Sequence, residues 1–256
     1  MNHSLIKNLF YCPVKSLSFN ESTLLKINKE SGILNDRIFA FTRGLDKNSA
    51  LNFNNSKIRN LNYFLTLKNT PDLKKYNFIF DENRNIIILY LKNQKLLEVN
   101  INNKKEIFEL EKFIETNIKE IKKPIFFINN KTSPFFDTTP EISISLINLN
   151  SIKDLENKMN TNIHYERFRG NILIDHLPAW EEFNLINKTI QIGKVQFLVN
   201  SKIPRCSATN VNPDNSKIDM NLPNSLLKLY NHKDMGIYLK PLNSGKISTR
   251  DFIEVL

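Results

Sequence analysis

The sequence predicts a mixed α+β fold dominated by short strands and built on a small barrel or sandwich. Three observations carry that reading. Short apolar, β-branched runs recur along the chain, separated by turns rich in Asn, Asp, Gly and Lys. Few stretches show helical spacing. Hydrophobic residues make up 41% of 256 residues, enough to bury a core, so a disordered chain is not expected.

Taken in order, Leu5–Phe10, Ser22–Asn28, Arg37–Thr42, Phe78–Phe80, Ile86–Leu91 and Leu96–Val99 read as strands, with Asp81–Asn85 as a hairpin loop. Residues 105–118 carry Ile107, Leu110, Phe113, Ile114 and Ile118 with acidic residues between them, which is helical spacing. Lys131–Pro140 reads as a Pro/Thr-rich connection. Ser151 reads as a helix N-cap, with Asp154 three residues on as the acid of a capping box and Ile152, Leu155 and Met159 as the buried stripe. Strands return at Ile172–Ile174, Thr189–Ile192, Val195–Val199, Gly236–Lys240 and Phe252–Val255. A short helix near Pro223–Tyr230 interrupts them, with Pro223 in its first turn. No internal repeat or low-complexity linker appears, so the second half is expected to pack directly on the first. We place the division at 1–130 and 131–256.

Lys and Arg number 36 against 26 Asp and Glu, a net charge of +10, and a basic chain draws anions. The lysines are dispersed, so a solvated basic surface is the ordinary reading. The aromatics follow no RNA-recognition pattern, and specific nucleic-acid binding is not expected. Cys12 and Cys206 lie far apart and neither belongs to a C-x-x-C pair, which argues against zinc and iron–sulfur sites. Met1–Phe10 is too short and polar for an export signal, and no run of 18 apolar residues exists. A cytoplasmic protein without a membrane span and without a disulfide is expected.

Chemistry concentrates at a few places. Cys206 follows Arg205 at the end of a predicted strand, and a neighbouring cation favours the thiolate, a soft metal ligand. A free cysteine is more commonly a small buried hydrophobe. Lys15-Ser16 pairs a cation with a hydroxyl, Asp36-Arg37 precedes a strand, and Arg167 and Arg169 alternate so that both face one side of an extended segment. Such groups suit an oxyanion, although each alone reads most simply as a surface ion pair. His3 and His232 read as surface residues, and His164 and His176 flank the arginines without an expected catalytic role.

The set in order resembles the MOSC family with its N-terminal partner domain, which includes the mitochondrial amidoxime-reducing component and its bacterial relatives. The resemblance runs through Pro13-Val14-Lys15-Ser16-Leu17, Gly32–Phe39 and Arg167-Phe168-Arg169-Gly170-Asn171. It continues through Trp180-Glu181-Glu182, Ile192-Gly193, Arg205-Cys206-Ser207-Ala208-Thr209, Asn212-Pro213-Asp214, Gly236-Ile237-Tyr238 and Gly245-Lys246-Ile247. Leu185 stands where the family usually has tryptophan, Arg250 where it has glycine, and Cys12 where an aromatic is common.

The resemblance implies an α+β N-terminal domain packed on a C-terminal MOSC β-barrel, and a molybdenum cofactor, molybdenum on molybdopterin, rather than pyridoxal phosphate. It implies Cys206 as the metal-ligating, catalytic cysteine. Lys15, Ser16, Arg37, Arg167, Arg169, Asn171, Arg205 and Tyr238 fall near the cofactor. Asn148 and Ser151 open a cofactor-facing helix, whose N-terminus suits a phosphate. The implied activity is reduction of N-hydroxylated small molecules, with electrons from an external ferredoxin-like or flavin/haem donor protein, because no redox motif of the chain's own is evident. Two other readings stay open: a sulfur or cofactor carrier without turnover, and a cofactor-free binding module.

Overall fold

Alternating apolar and polar residues give many of the strands one inward face, and closing the sheet on itself removes the exposed edges. The structure is a computed structural model. It describes residues 4–17, 19–56, 59–136, 142–175 and 177–256. His3, His176 and residues 137–140 of the Lys131–Pro140 connection lie outside the described residues.

The N-terminal half contains β1 (Ser4–Tyr11), β2 (Asn20–Ser22), β3 (Leu24–Asn28), β4 (Gly32–Ile33), β5 (Phe39–Arg43) and α1 (Lys47–Asn55). The hairpin strands β6 (Tyr76–Asp81), β7 (Ile86–Leu91) and β8 (Gln94–Asn100) follow, then α2 (Lys104–Asn117) and β9 (Ile125–Asn129). The C-terminal half contains β10 (Ile144–Asn148), α3 (Leu149–Met159), β11 (Ile172–Ile174), β12 (Thr189–Ile192), β13 (Val195–Pro204) and α4 (Leu222–Tyr230). It ends with β14 (Asp234–Pro241), β15 (Gly245–Ser248) and β16 (Phe252–Val255).

Seven strands form a closed barrel in the order β11-β10-β14-β13-β12-β16-β1, with β1 pairing back onto β11. The fold is therefore α+β and strand-rich, as expected. The barrel draws one of its strands from the start of the chain: Leu9 pairs with Ile172, and Leu5 with Phe252. Its interior holds Ile6, Leu9, Leu146, Ile190, Phe197, Val199, Ile237 and Leu239. All pairs are antiparallel except β10–β11, which needs a crossover, and α3 supplies it. The sheet β15-β3-β4 adds Leu25, Ile27, Ile33 and Ile247 to the same core.

A second core belongs to the N-terminal half. There α2 buries Leu110 and Ile114, and Ile118 just past its end, among Phe41, Phe78 and Leu89. Val211 from the loop after β13 joins this core, so the two halves share apolar surface next to Cys206.

Some local expectations are corrected. The run Ser22–Asn28 divides into β2 and β3, because the Ser22 hydroxyl donates to the Leu24 carbonyl (2.7 Å) and turns the chain. β5 starts at Phe39, since Arg37 takes left-handed backbone (φ 55°) that a strand cannot hold. The cap of α3 is Asn148, whose side chain accepts from the Asn150 N–H (3.1 Å). Ser151 lies inside the helix, buried. At Gly236 (φ +80°) a Cβ would sit 2.4 Å from the Leu146 carbonyl oxygen, so β14 can approach β10 only without a side chain there.

Candidate functional site

Strand irregularity delivers Cys206 to the surface. β13 keeps Val195, Phe197 and Val199 inward, then shifts register against β14 between Val199 and Ser201 and again between Lys202 and Pro204. Such bulges re-aim a strand end. Cys206 follows as the N-cap of a short 3-10 turn, Ser207–Asn210, and is exposed. It opens onto a cleft of about 370 Å³ at the junction of the two halves.

Eight of the residues singled out in the sequence line this cleft. Lys15, Ser16 and Arg37 come from the N-terminal half, and Arg167, Arg169, Arg205, Cys206 and Tyr238 from the barrel half. Asn148, Ser151 and Asn171 are not in the lining. With Arg43 and Lys68 added, seven cations line the cleft, and no carboxylate does among the described residues.

Most of these cations are held by backbone carbonyls. Lys15 Nζ donates to the carbonyls of Phe135 (3.2 Å) and Phe136 (3.0 Å). Arg205 donates through Nε to Met235 O (2.9 Å), through Nη1 to Phe168 O (2.8 Å), and through Nη2 again to Met235 O. Arg169 donates through Nη1 to Leu17 O (2.8 Å) and through Nη2 to Cys12 Sγ (3.3 Å), and stacks over Phe19. A carbonyl orients a cation and leaves its net charge in place, whereas a carboxylate cancels it. Carboxylates do oppose two of the seven: Asp36 contacts Arg37, and Asp219 pairs with Arg167 (2.8 Å).

Arg167 is buried and fastens the segment after Cys206. It donates to Asn210 O (3.2 Å) and Asp219 Oδ2 (2.9 Å), while its Nε is buried without a hydrogen-bond partner. Three cleft residues, Ser16, Arg37 and Arg169, take left-handed backbone (φ 61°, 55° and 52°). Each costs an L-residue about 1–2 kcal/mol, and packing must hold it there.

Of the residues outside the lining, Asn171 lies behind it, whereas Asn148 and Ser151 belong to a buried network around Glu182 that does not reach it. Asn171 Nδ2 donates to Phe10 O (3.1 Å), and its Oδ1 accepts from the Ser145 hydroxyl (2.8 Å), tying β1 to β10 below Arg169. Asn148 Nδ2 donates to Glu182 (3.0 Å) and Pro178 O (2.9 Å), and the Ser151 hydroxyl donates to Glu182 (2.8 Å). Burial holds the Glu182 carboxyl above its ordinary pKa, against the lowering effect of the Asn148 and Ser151 hydrogen bonds. Burial likewise raises the Cys12 thiol, opposed by the charges of Arg169 and Arg37. Cys12 is thus a core residue, as expected, and also an acceptor for a cleft arginine.

Sequence reasoning missed Arg43, Lys68, Ser145 and the polar segment around Asn62, Thr66 and Asn69. Nothing local marks them, since the fold alone brings them to Cys206. Among the described residues no cluster of three or more His, Cys, Asp or Glu could hold a metal ion, and no helix is long and apolar enough to cross a membrane.

The family model described as "MOSC domain" matches residues 136–254. The chain is 32% identical to mitochondrial amidoxime reducing component 2 of Rattus norvegicus over 104 residues, 41% of this chain and 29% of that protein. The match thus spans less than a third of this curated relative's length. Among solved structures, the YuaD protein from Bacillus subtilis is similar over 99% of this chain and 95% of its own, at 11% identity and a TM-score of 0.42. YiiM from Geobacillus stearothermophilus is similar over 44% of this chain and 53% of its own, at 17% identity and a TM-score of 0.35. By the family match, residues 136–254 of the chain form a MOSC domain.

Proposed function

We propose that the chain is a molybdenum-dependent oxidoreductase that removes oxygen from N-hydroxylated small molecules. In this reading it holds a molybdenum cofactor in the cleft, with Cys206 as the protein's ligand to the metal. The observation that carries the reading is an exposed thiol on a cleft where Lys15, Arg37, Arg167, Arg169 and Arg205 converge and no described residue of the lining is a carboxylate.

The residues suit that group chemically. A thiolate is a soft ligand, and a metal brought in on a pterin dithiolene needs few further donors from the protein. The pterin's phosphate and dithiolene are anionic, and the cleft is cationic. Arg169 and Arg205, oriented by carbonyls, and Lys15, oriented by the carbonyls of Phe135 and Phe136, would hold it. Arg167 Nε is a buried donor still lacking a partner. Asn171 would support the site from behind, through Ser145.

When bound, the cofactor supplies two-electron removal of an oxygen atom. The chain's own share is to fix the metal through Cys206, neutralise the cofactor's charge and orient it with Arg205 and Tyr238. Electrons come from a separate ferredoxin-like or flavin/haem protein, and the +10 net charge suits an acidic donor. The exposure of Cys206 also suits a carrier of sulfur or cofactor.

The test is reduction of benzamidoxime by protein from a cofactor-competent host, with dithionite-reduced methyl viologen as donor. Turnover lost in Cys206→Ser is the expected result. Protein that carries molybdenum yet turns over no N-hydroxylated compound would instead make it a carrier.

A further inference from the structure

The cleft has a wall that the cofactor reading does not use. Arg43 ends β5, and the segment carrying Asn62, Thr66, Lys68 and Asn69 lies beside it in the lining. Resting on the function proposed above, we propose that this wall receives an anionic group of the substrate. The natural substrate is then an N-hydroxylated small molecule bearing a carboxylate or phosphate, held by Arg43 and Lys68 while its N–O group faces Cys206.

The wall is built to hold position. Phe64 and Leu65 within it are buried, and the Leu65 N–H donates to Phe41 O on β5 (2.9 Å). The Asn69 side chain locks the turn by accepting from the Thr66 N–H (3.0 Å) and donating to Phe64 O (3.0 Å). Arg43 is aimed by one bond, from Nε to Asn62 O (2.9 Å). Among the described residues its terminal nitrogens make no hydrogen bond, so the fork that binds oxyanions in two-point fashion is left for a ligand. Neither Arg43 nor Lys68 has a carboxylate within ion-pair distance among the described residues.

Charge gives the reason. Seven cations around one cleft repel one another. Five sit at positions that the family resemblance assigns to the cofactor. Arg43 and Lys68 remain in the same lining, and a neutral substrate would leave their charge unopposed. An anionic substituent offsets it and sets the orientation of the molecule.

The experiment compares benzamidoxime with 4-carboxybenzamidoxime, which differ by one carboxylate. KM and kcat are measured on the loaded protein with dithionite-reduced methyl viologen, and Kd for both compounds is measured by calorimetry. The wild type is expected to favour the carboxylate about tenfold in KM and Kd, the scale of one charge-assisted hydrogen-bonded contact. Arg43→Glu/Lys68→Glu should remove that preference, leaving kcat and the values for benzamidoxime within about twofold. Arg43→Gln/Lys68→Gln, with its circular-dichroism melt, serves should the reversal misfold, and should give an intermediate preference. Equal Kd for the two compounds in the wild type, or a preference that survives both double variants, overturns the proposal. If neither compound is reduced, the proposed reaction fails, and the Kd ratio still decides whether this wall selects an anion.

Discussion

Arg169 tests whether the cleft is a shaped, strained device or an ordinary basic surface. Two substitutions separate its contacts from its backbone. Arg169→Ala removes the hydrogen bond to Leu17 O at 2.8 Å, the contact with Cys12 Sγ at 3.3 Å and the stacking over Phe19. A hydrogen bond from a charged group contributes about 1.5–3 kcal/mol and cation–π stacking about 0.5–1 kcal/mol. Arg169 is half-buried, so water entering the cleft recovers part of this, and a loss of about 2 kcal/mol follows. Alanine still has to hold φ 52°, whereas glycine does so without strain. Arg169→Gly should therefore be more stable than Arg169→Ala by about 1 kcal/mol, against the usual order of these residues. Urea unfolding at equal protein concentration is the assay, with the slope m checked for constancy. Both variants should also lose pterin from protein made in a cofactor-competent host. An alanine variant as stable as the wild type, or more stable than the glycine variant, would refute the reasoning about contacts or about strain respectively.

Three further predictions follow from the buried groups. Glu182 has a folded pKa raised by burial, so the stability it contributes is full below its unfolded pKa and is lost as pH rises through the folded value. Urea titrations from acid to neutral pH should show that decline, and Glu182→Gln should flatten it. Arg167→Met removes the guanidinium from Asp219 and the carbonyl of Asn210, which keep Asn212 Nδ2 (2.6 Å) and the Asp219 N–H (3.3 Å), and should cost about 2 kcal/mol once the partial exposure of Asp219 is discounted. Faster amide hydrogen exchange over 206–219 is the accompanying sign, and unchanged exchange there would remove Arg167's role as a fastener. Cys206 is exposed, whereas Cys12 is buried with a raised thiol pKa, so a thiol reagent should modify one cysteine in the native protein and both in urea. Mass spectrometry identifies which.

Much of the strand pattern was legible because period-two burial is written locally. Ile86–Leu91, Thr189–Ile192 and Phe252–Val255 read from sequence with the bounds they have in the fold. β10 escaped notice because all five of its residues are buried, and a run without alternation carries no period. Ser151 satisfies the capping pattern, yet Asn148 makes the cap and Ser151 turns to Glu182, a partner 31 residues away that no local rule can supply. The same holds for the site. Lys15, Arg37, Arg169 and Cys206 were found through a resemblance that orders them along the chain, and the fold places them on one cleft. Arg43 and Lys68 belong to no motif, and only the fold brings the end of β5 and the segment from 61 to 69 into the same lining as Cys206. Adjacency in sequence places Arg205 beside Cys206, and the fold turns its guanidinium onto the carbonyls of Met235 and Phe168.

The central claim is that this cleft holds a molybdenum cofactor through Cys206. The most direct measurement is the molybdenum and pterin content, with the metal's electronic spectrum, of wild-type and Cys206→Ser protein purified from a cofactor-competent host. The account predicts about one molybdenum and one pterin per wild-type chain. It predicts a Cys206→Ser variant that keeps the fold and much of the pterin while its metal spectrum changes, because only a thiolate is a good ligand there. Wild-type protein without molybdenum, or a variant whose metal spectrum matches the wild type, would contradict it.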